Sequence, residues 1–142
     1  MVDIHYEPEL SPESRTAVLD GLIAFNRSQT PDFKGAYGSI GLMLKHPDTG
    51  LVEGGLTARM GFGWMFVELL FVPERLRGQG VGLDLMAEAE RVAREHQLVG
   101  IWLDTFAFQA RGFYEKLGYV VFGEIENYPP GSSRYFLRKH LS

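Results

Sequence analysis

The sequence predicts an α/β fold in which helices flank one mixed sheet. Short apolar or alternating segments typical of strands are interspersed with longer segments whose apolar residues recur at helical spacing. Glycine, proline and polar clusters separate these segments. The order along the chain is βαββ-β-αβαββ. A chain of 142 residues is the size of one domain, so we expect a single domain over residues 1–142.

The first elements are a strand and a helix. Residues 2–6 alternate between apolar and polar side chains, which predicts a strand. Ser11 followed by Pro12 has the pattern of a helix N-cap with proline at the first helical position. The apolar stripe that follows indicates an amphipathic helix, which ends in a polar loop over residues 26–35.

Three strands follow this loop. The segments 39–45 and 51–60 flank turn-forming residues 46–50, and they predict a β-hairpin. Glycines 54–55 inside the second strand indicate a bulge. After a second glycine turn, the strongly apolar segment 64–72 predicts a buried strand.

The second half alternates helices and strands. Its predicted elements are a helix over 80–96, a strand over 99–104, a helix over 107–117, and strands over 119–125 and 134–138. Gly118 follows the shorter helix at the position where glycine commonly ends a helix. In the longer helix, Glu90 and Arg94 are four residues apart, and we expect them to pair on its outer face.

Composition excludes several classes of function. The chain has no cysteine, so disulfide frameworks, thiolate metal sites and cysteine nucleophiles are excluded. Its four histidines are scattered without ligand spacing, and we expect no metal. The net charge of −4 argues against nucleic acid as a partner. Without a signal peptide or an apolar run of membrane-spanning length, we expect a cytoplasmic protein that does not bind membranes.

A glycine-rich segment links the buried strand to the long helix. The residues Arg75-x-Arg77-Gly78-Gln79-Gly80-Val81-Gly82 place unpaired backbone N–H groups at a helix N-terminus, which is suited to a phosphate or pyrophosphate. The dinucleotide fingerprint fails because Leu83 stands where its third glycine belongs, and no phosphate-loop lysine follows. A glycine-rich turn without a ligand is the alternative.

The spacing Arg75-x-x-Gly78-x-Gly80 resembles motif A of the GNAT acyltransferase superfamily, and Phe113-Tyr114-Glu115-Lys116-Leu117-Gly118-Tyr119 resembles its motif B. The resemblance implies a GNAT-like fold with a twisted, mostly antiparallel mixed sheet of six to seven strands. It also implies an N-acetyltransferase that uses acetyl-CoA and a primary amine of a small molecule or peptide. A non-catalytic acyl-CoA-binding module is the alternative, and a homodimer is possible by analogy.

The resemblance also implies where acetyl-CoA binds. Backbone groups of Leu70, Phe71 and Val72 would bind the pantetheine arm, and residues from Arg77 to Gly82 would bind the pyrophosphate. Many members carry an asparagine before the motif B helix, which is missing here; Gln109 is a possible substitute. The residues assigned to the cofactor are Leu70, Phe71, Val72, Arg75, Arg77, Gly78, Gln79, Gly80, Val81, Gly82, Gln109 and Phe113.

Acyl transfer from a thioester to an amine needs a proton acceptor for the amine and benefits from a proton donor for the thiolate. Tyr114 is the candidate acid, with a purely structural aromatic as the alternative. Glu68 is the first candidate base, because it lies in a strand on one face with Phe66, Leu70 and Val72, where its pKa would be raised. Asp104 is the second candidate, and it could instead cap a turn. Tyr128 and Arg134 are candidates for the acceptor pocket.

Overall fold

The computed structural model describes all 142 residues, which form two compact units, residues 1–34 and 35–142. The first unit contains helix α1, Pro12–Gln29. Ser11 caps this helix as predicted, accepting a hydrogen bond from the Ser14 N–H at 3.1 Å. None of the helices is long and apolar enough to span a bilayer. The single domain over residues 1–142 stays a prediction.

The second unit contains a six-stranded sheet and two α-helices. Its elements are β1 (Gly38–Lys45), β2 (Val52–Gly61), β3 (Trp64–Phe71), α2 (Val81–Glu95), β4 (Gly100–Phe106), α3 (Arg111–Lys116), β5 (Val120–Glu126) and β6 (Ser133–His140). The strand order is β1-β2-β3-β4-β6-β5. Only β3 and β4 run parallel, and every other neighbouring pair is antiparallel. The predicted mixed sheet is confirmed.

The core lies between α2 and one face of the sheet. In β4 the buried residues Ile101, Leu103 and Thr105 alternate with less buried ones, as the period of a strand requires. The side chains of Trp102 and Asp104 therefore point to the opposite face of the sheet. The other buried apolar residues at the centre of the core are Leu56, Ala58, Met65, Val67, Leu85, Met86, Ala89, Ala93 and Leu137.

Two predictions about the elements are corrected. Residues 2–6 form no strand, and Val2, Ile4 and Tyr6 are exposed, because alternation alone does not supply the neighbouring strand that a β-ladder needs. The helix expected over 107–117 begins only at Arg111, since residues 107–110 form a turn and an irregular link after β4. The predicted hairpin of β1 and β2 is confirmed. The bulge expected at residues 54–55 lies instead at Glu53, because both glycines pair with β1 and Glu53 is the residue without a partner.

Glu90 is buried, contrary to the expected outer-face position. Its carboxylate accepts hydrogen bonds from the Lys139 ammonium at 2.9 and 3.1 Å and from the Tyr119 hydroxyl at 3.1 Å. Lys139 also donates to the Leu117 carbonyl at the end of α3, at 2.8 Å. This network joins α2, α3 and β6, and Arg94 is a more distant partner of Glu90 at 3.6 Å.

The network predicts a loss of stability at alkaline pH. Burial, followed by the charge of Glu90, raises the pKa of Tyr119, so the folded state retains a proton that the unfolded chain releases above about pH 10. The resulting stabilisation is complete below that pH and declines above it, by about 1.4 kcal/mol per pH unit. We expect Tyr119→Phe to show a shallower decline than the wild type in urea unfolding between about pH 9 and 11. Parallel declines in the two proteins would contradict this assignment.

Candidate active site

A cleft of about 920 Å³ opens where two neighbouring strands separate. The pairing of β3 with β4 runs from Trp64↔Gly100 to Val67↔Leu103 and ends there. Both strands continue beyond that point, β3 to Phe71 and β4 to Phe106. The edge of β3 over residues 68–71 therefore presents backbone N–H and C=O groups to the cleft without strand partners.

The glycine-rich segment lies directly after β3. Gly78 and Gly80 have φ values of +76° and +78°, which side-chain-bearing residues rarely adopt. A Cβ atom at either glycine would meet no other atom within 4 Å, so the space beside the loop is open. Gly80 is the N-cap of α2 and supplies no side-chain cap, which leaves N–H groups of the first turn available for an anion.

The side chains of Arg75, Arg77 and Gln79 each have a partner within or next to the glycine-rich segment, or on β2. Arg77 lines the cleft, and its Nε donates to the Val72 carbonyl at 2.9 Å. Gln79 donates to the Arg75 carbonyl at 3.0 Å, which braces the turn. Arg75 forms an ion pair with Glu53 of β2. Any phosphate contact by Arg75 would therefore compete with this carboxylate, and its role stays a prediction.

Tyr114 is the buried aromatic residue of α3 and lines the cleft, at 7% exposed. Its hydroxyl takes part in no hydrogen bond within the protein. No side-chain oxygen sealed from solvent lacks a partner, so this hydroxyl opens into the cleft. Burial, and then the negative charge of Asp104, raise the pKa of Tyr114. The phenol therefore stays protonated at neutral pH and can donate a proton.

Asp104 and Glu68 both line the cleft, and each is paired with an arginine. Arg134 donates to Oδ1 of Asp104 through Nη2 at 2.8 Å and Nε at 3.1 Å. The Asp104 side chain is 16% exposed. Glu68 pairs with Arg59 at 3.1 Å, and its side chain is 37% exposed. Pairing with Asp104 raises the pKa of Arg134, which keeps its guanidinium charged.

The predicted surroundings of Glu68 are wrong. The register between β2 and β3 shifts at this point, because Thr57 pairs with Leu69 whereas Ala58 pairs with Val67. Glu68 is the extra residue of a β-bulge, which interrupts the alternation of side chains. Leu70 and Val72 consequently pack against the core, while Glu68 meets Arg59.

Gln109 and Phe113 lie at different parts of the candidate active site: Gln109 lies at the end of β4, and Phe113 at the first turn of α2. The side-chain oxygen of Gln109 accepts hydrogen bonds from the Phe106 N–H at 2.8 Å and the Thr105 hydroxyl at 3.1 Å. This fixes Gln109 against the end of β4, in the lining of the cleft. Phe113 packs on the first turn of α2, where a Cβ atom at Gly82 would lie 3.4 Å from its ring. Val81 and Gly82 begin α2 beside it.

The structure brings the predicted residues together at one cleft, with Leu70, Phe71 and Val72 on one wall and Asp104, Gln109 and Tyr114 on the other. Sequence reasoning missed the aromatic partners of Arg134, among them Phe106, whose ring centroid lies 5.4 Å from the guanidinium carbon. The alternation of side chains along β4 could have placed Phe106 on the same face as Asp104. No pattern in the sequence near β4, however, identifies Arg134 as the residue that contacts both.

The fold and this cleft define the chain as an acyl-CoA N-acyltransferase. Residues 12–119 match the model of the acetyltransferase (GNAT) family. Because this match spans most of the chain, the chain belongs to the GNAT family, and the resemblance noted in the two sequence motifs is confirmed.

Named relatives support the same assignment. The acetyltransferase Atu2258 of Agrobacterium fabrum is 33% identical over 91% of this chain and 92% of its own length. Blasticidin-S acetyltransferase of Streptomyces morookaense is 40% identical over 66% of this chain and 70% of its own. A crystal structure of an acetyltransferase from Agrobacterium tumefaciens superposes with a TM-score of 0.90 at 30% identity, covering 99% of this chain and 100% of the other.

Proposed function

We propose that the protein transfers an acetyl group from acetyl-CoA directly to a primary amine of a small molecule or peptide. The observation that carries the proposal is the cleft itself. It places an unpaired strand edge, a protonated tyrosine and two carboxylates within one space beside the glycine-rich segment. The named relatives are acetyltransferases, and this supports acetyl, rather than a longer acyl group, as the group that is transferred.

Acetyl-CoA would lie along the unpaired edge of β3. The pantetheine arm carries amide groups, and the backbone of Leu70, Phe71 and Val72 can hydrogen-bond to them as a neighbouring strand would. The pyrophosphate would rest on the first turn of α2, where Gly78 and Gly80 keep the approach open. Arg77 supplies positive charge to the same region.

The reaction needs no covalent enzyme intermediate. A carboxylate, directly or through a water molecule, removes a proton from the ammonium form of the acceptor. The amine nitrogen then attacks the thioester carbonyl, and a backbone N–H of the open β3 edge stabilises the developing oxyanion. As the C–S bond breaks, Tyr114 gives its proton to the departing thiolate, and the second proton of the attacking nitrogen passes, directly or through water, to the Tyr114 phenolate. The products are an N-acetylated amine and CoA.

Glu68 and Asp104 remain the two candidate bases. Asp104 is the more buried and lies close enough to influence the Tyr114 pKa, whereas Glu68 is more exposed and reaches solvent. Because each carboxylate is already paired with an arginine, a water molecule that bridges the carboxylate and the amine could relay the proton to either Glu68 or Asp104. Comparing the pH profiles of Glu68→Gln and Asp104→Asn assigns the role, because the variant lacking the base loses the acidic limb of kcat/KM.

The name of one relative indicates which class of acceptor amine this protein uses. This relative is named for acetylation of blasticidin S, a small molecule. We infer that this chain likewise acetylates an amine of a small molecule. The second candidate function, a non-catalytic acyl-CoA-binding module, is favoured only by the missing asparagine before α3, for which Gln109 is the candidate substitute.

Calorimetric titration with acetyl-CoA, followed by a thiol-release assay over a panel of amines, tests the proposal. We expect micromolar binding of acetyl-CoA, no binding of NAD or ATP, and release of CoA thiol only when an acceptor amine is present. Binding without transfer to any amine class would favour the non-catalytic module. Failure to bind acetyl-CoA would contradict both candidate functions, the N-acetyltransferase and the non-catalytic module.

A further inference from the structure

Three aromatic rings form a surface at the end of β4, which we call the aromatic rim: Phe106, Phe108 and Tyr128. The Phe106 and Phe108 rings are parallel within 3°, with centroids 5.3 Å apart. The Tyr128 ring lies 5.5 Å from Phe106 on the β5–β6 loop. Phe108 is 68% exposed and Tyr128 is 40% exposed, so the rim presents open aromatic surface to solvent.

The aromatic rim adjoins the cleft rather than a distant surface. Phe106 and Phe108 both line the cleft together with Asp104 and Tyr114. Phe106 is two residues beyond Asp104, so both side chains leave the same face of β4. An apolar group that lies against the rim can therefore extend an attached amine towards Asp104. Clustered exposed aromatics beside a polar cleft are typical of a ligand site.

The charges of the cleft argue against a polycationic acceptor. Asp104 is paired with Arg134, and Glu68 is paired with Arg59. Arg134 is further held by a 2.6 Å hydrogen bond to the Tyr128 hydroxyl, and its guanidinium carbon lies 4.8 Å from that ring. An acceptor with several ammonium groups would have to displace this arginine from Asp104 and Tyr128. Of the three rings, Phe108 is the one that makes no contact with Arg134, and its 68% exposed side chain is open to a ligand.

We propose that the acceptor is an amine carried by a flat aromatic or heteroaromatic group, which packs on the aromatic rim with Phe108 as its principal contact. Phe108 is then a specificity-determining residue for the acceptor and makes no contact with acetyl-CoA. The inference rests on the proposed N-acetyltransferase function and narrows its substrate class. Aromatic packing depends on planarity, so a saturated ring of equal size is a matched comparison.

The first test compares four amines at saturating acetyl-CoA: phenethylamine, cyclohexylethylamine, butylamine and spermidine. The first two share their carbon skeleton and differ in ring planarity. We expect kcat/KM for phenethylamine to exceed that for cyclohexylethylamine by about 2- to 10-fold, the range that aromatic pairing supplies beyond buried area. Spermidine should be the poorest acceptor. Equal values for the two ring amines, or a preference for spermidine, would overturn the inference.

The second test uses Phe108→Ala, with Phe122→Ala as the matched control, because Phe122 is an exposed phenylalanine outside the cleft at 48%. We expect Phe108→Ala to lower the ratio of kcat/KM for phenethylamine to that for butylamine by about 5-fold or more without raising the KM for acetyl-CoA, while Phe122→Ala leaves this ratio and the KM for acetyl-CoA unchanged. A rise in the acetyl-CoA KM would show that the ring serves the co-substrate and would refute the proposal. Acetyl-CoA binding with activity toward none of the four amines would overturn this inference alone, whereas failure to bind acetyl-CoA would overturn the proposed function.

Discussion

Replacing Tyr114 by phenylalanine lowers kcat for acetyl transfer by about 100-fold or more, if its phenol protonates the departing thiolate. The substitution removes one oxygen that has no hydrogen-bond partner in the protein, so packing and stability should change little. Binding of acetyl-CoA, measured by calorimetry, should stay within about 2-fold, because the lost interaction belongs to the transition state. A large loss of binding with kcat retained would contradict the catalytic assignment.

Tyr119→Phe is the matched control for this substitution. Tyr119 is also a buried tyrosine of the α3 region, but its hydroxyl donates to Glu90 and does not line the cleft. We expect it to reduce stability without a comparable loss of kcat. A similar loss of kcat in both variants would show that the effect arises from packing of the α3 region rather than from proton donation.

The pH profile gives a second measure of the same role. Burial and Asp104 raise the pKa of Tyr114, so its phenol keeps its proton to beyond the usual tyrosine value of about 10. Deprotonation of Tyr114 therefore causes no fall in kcat at neutral or mildly alkaline pH. An alkaline limb below about pH 9 that disappears in Tyr114→Phe would contradict the predicted direction of the shift.

The order of elements could be predicted because each depends on local signals. Apolar residues at helical spacing identified α2, and Gly118 with its φ of +94° ended α3 where expected. The segment 2–6 carries the same alternation as a true strand, but pairing is a long-range property. The glycine-rich loop and Tyr114 were also identifiable, since their roles depend on short contiguous motifs.

The partners of the charged residues could not be predicted, because they come from distant parts of the chain. Glu90 has the i,i+4 pattern of a solvent-exposed pair, yet its principal partner is Lys139, 49 residues further on. Glu68 meets Arg59 only because a β-bulge interrupts the alternation of β3. The register of neighbouring strands decides both electrostatic environments, and it is not encoded in either strand alone.

Replacing Gly80 by alanine is expected to weaken acetyl-CoA binding by about 10- to 100-fold, the loss of one or two hydrogen bonds to a charged group. Gly80 has φ of +78° as the N-cap of α2. An added methyl group would strain this conformation and occupy the open space beside the N–H groups that we propose bind the pyrophosphate. The measurement is calorimetric titration of the variant with acetyl-CoA.

Gly50→Ala separates the loss of the phosphate site from general backbone strain. Gly50 has a similar φ of +70° and equally open surroundings, but it lies in the turn between β1 and β2. Both substitutions should lower the free energy of unfolding by about 1–2 kcal/mol, the cost of placing a Cβ in the left-handed region. Only Gly80→Ala should weaken acetyl-CoA binding. Because strain is matched between the variants, equal affinities would show that the first turn of α2 does not hold the pyrophosphate.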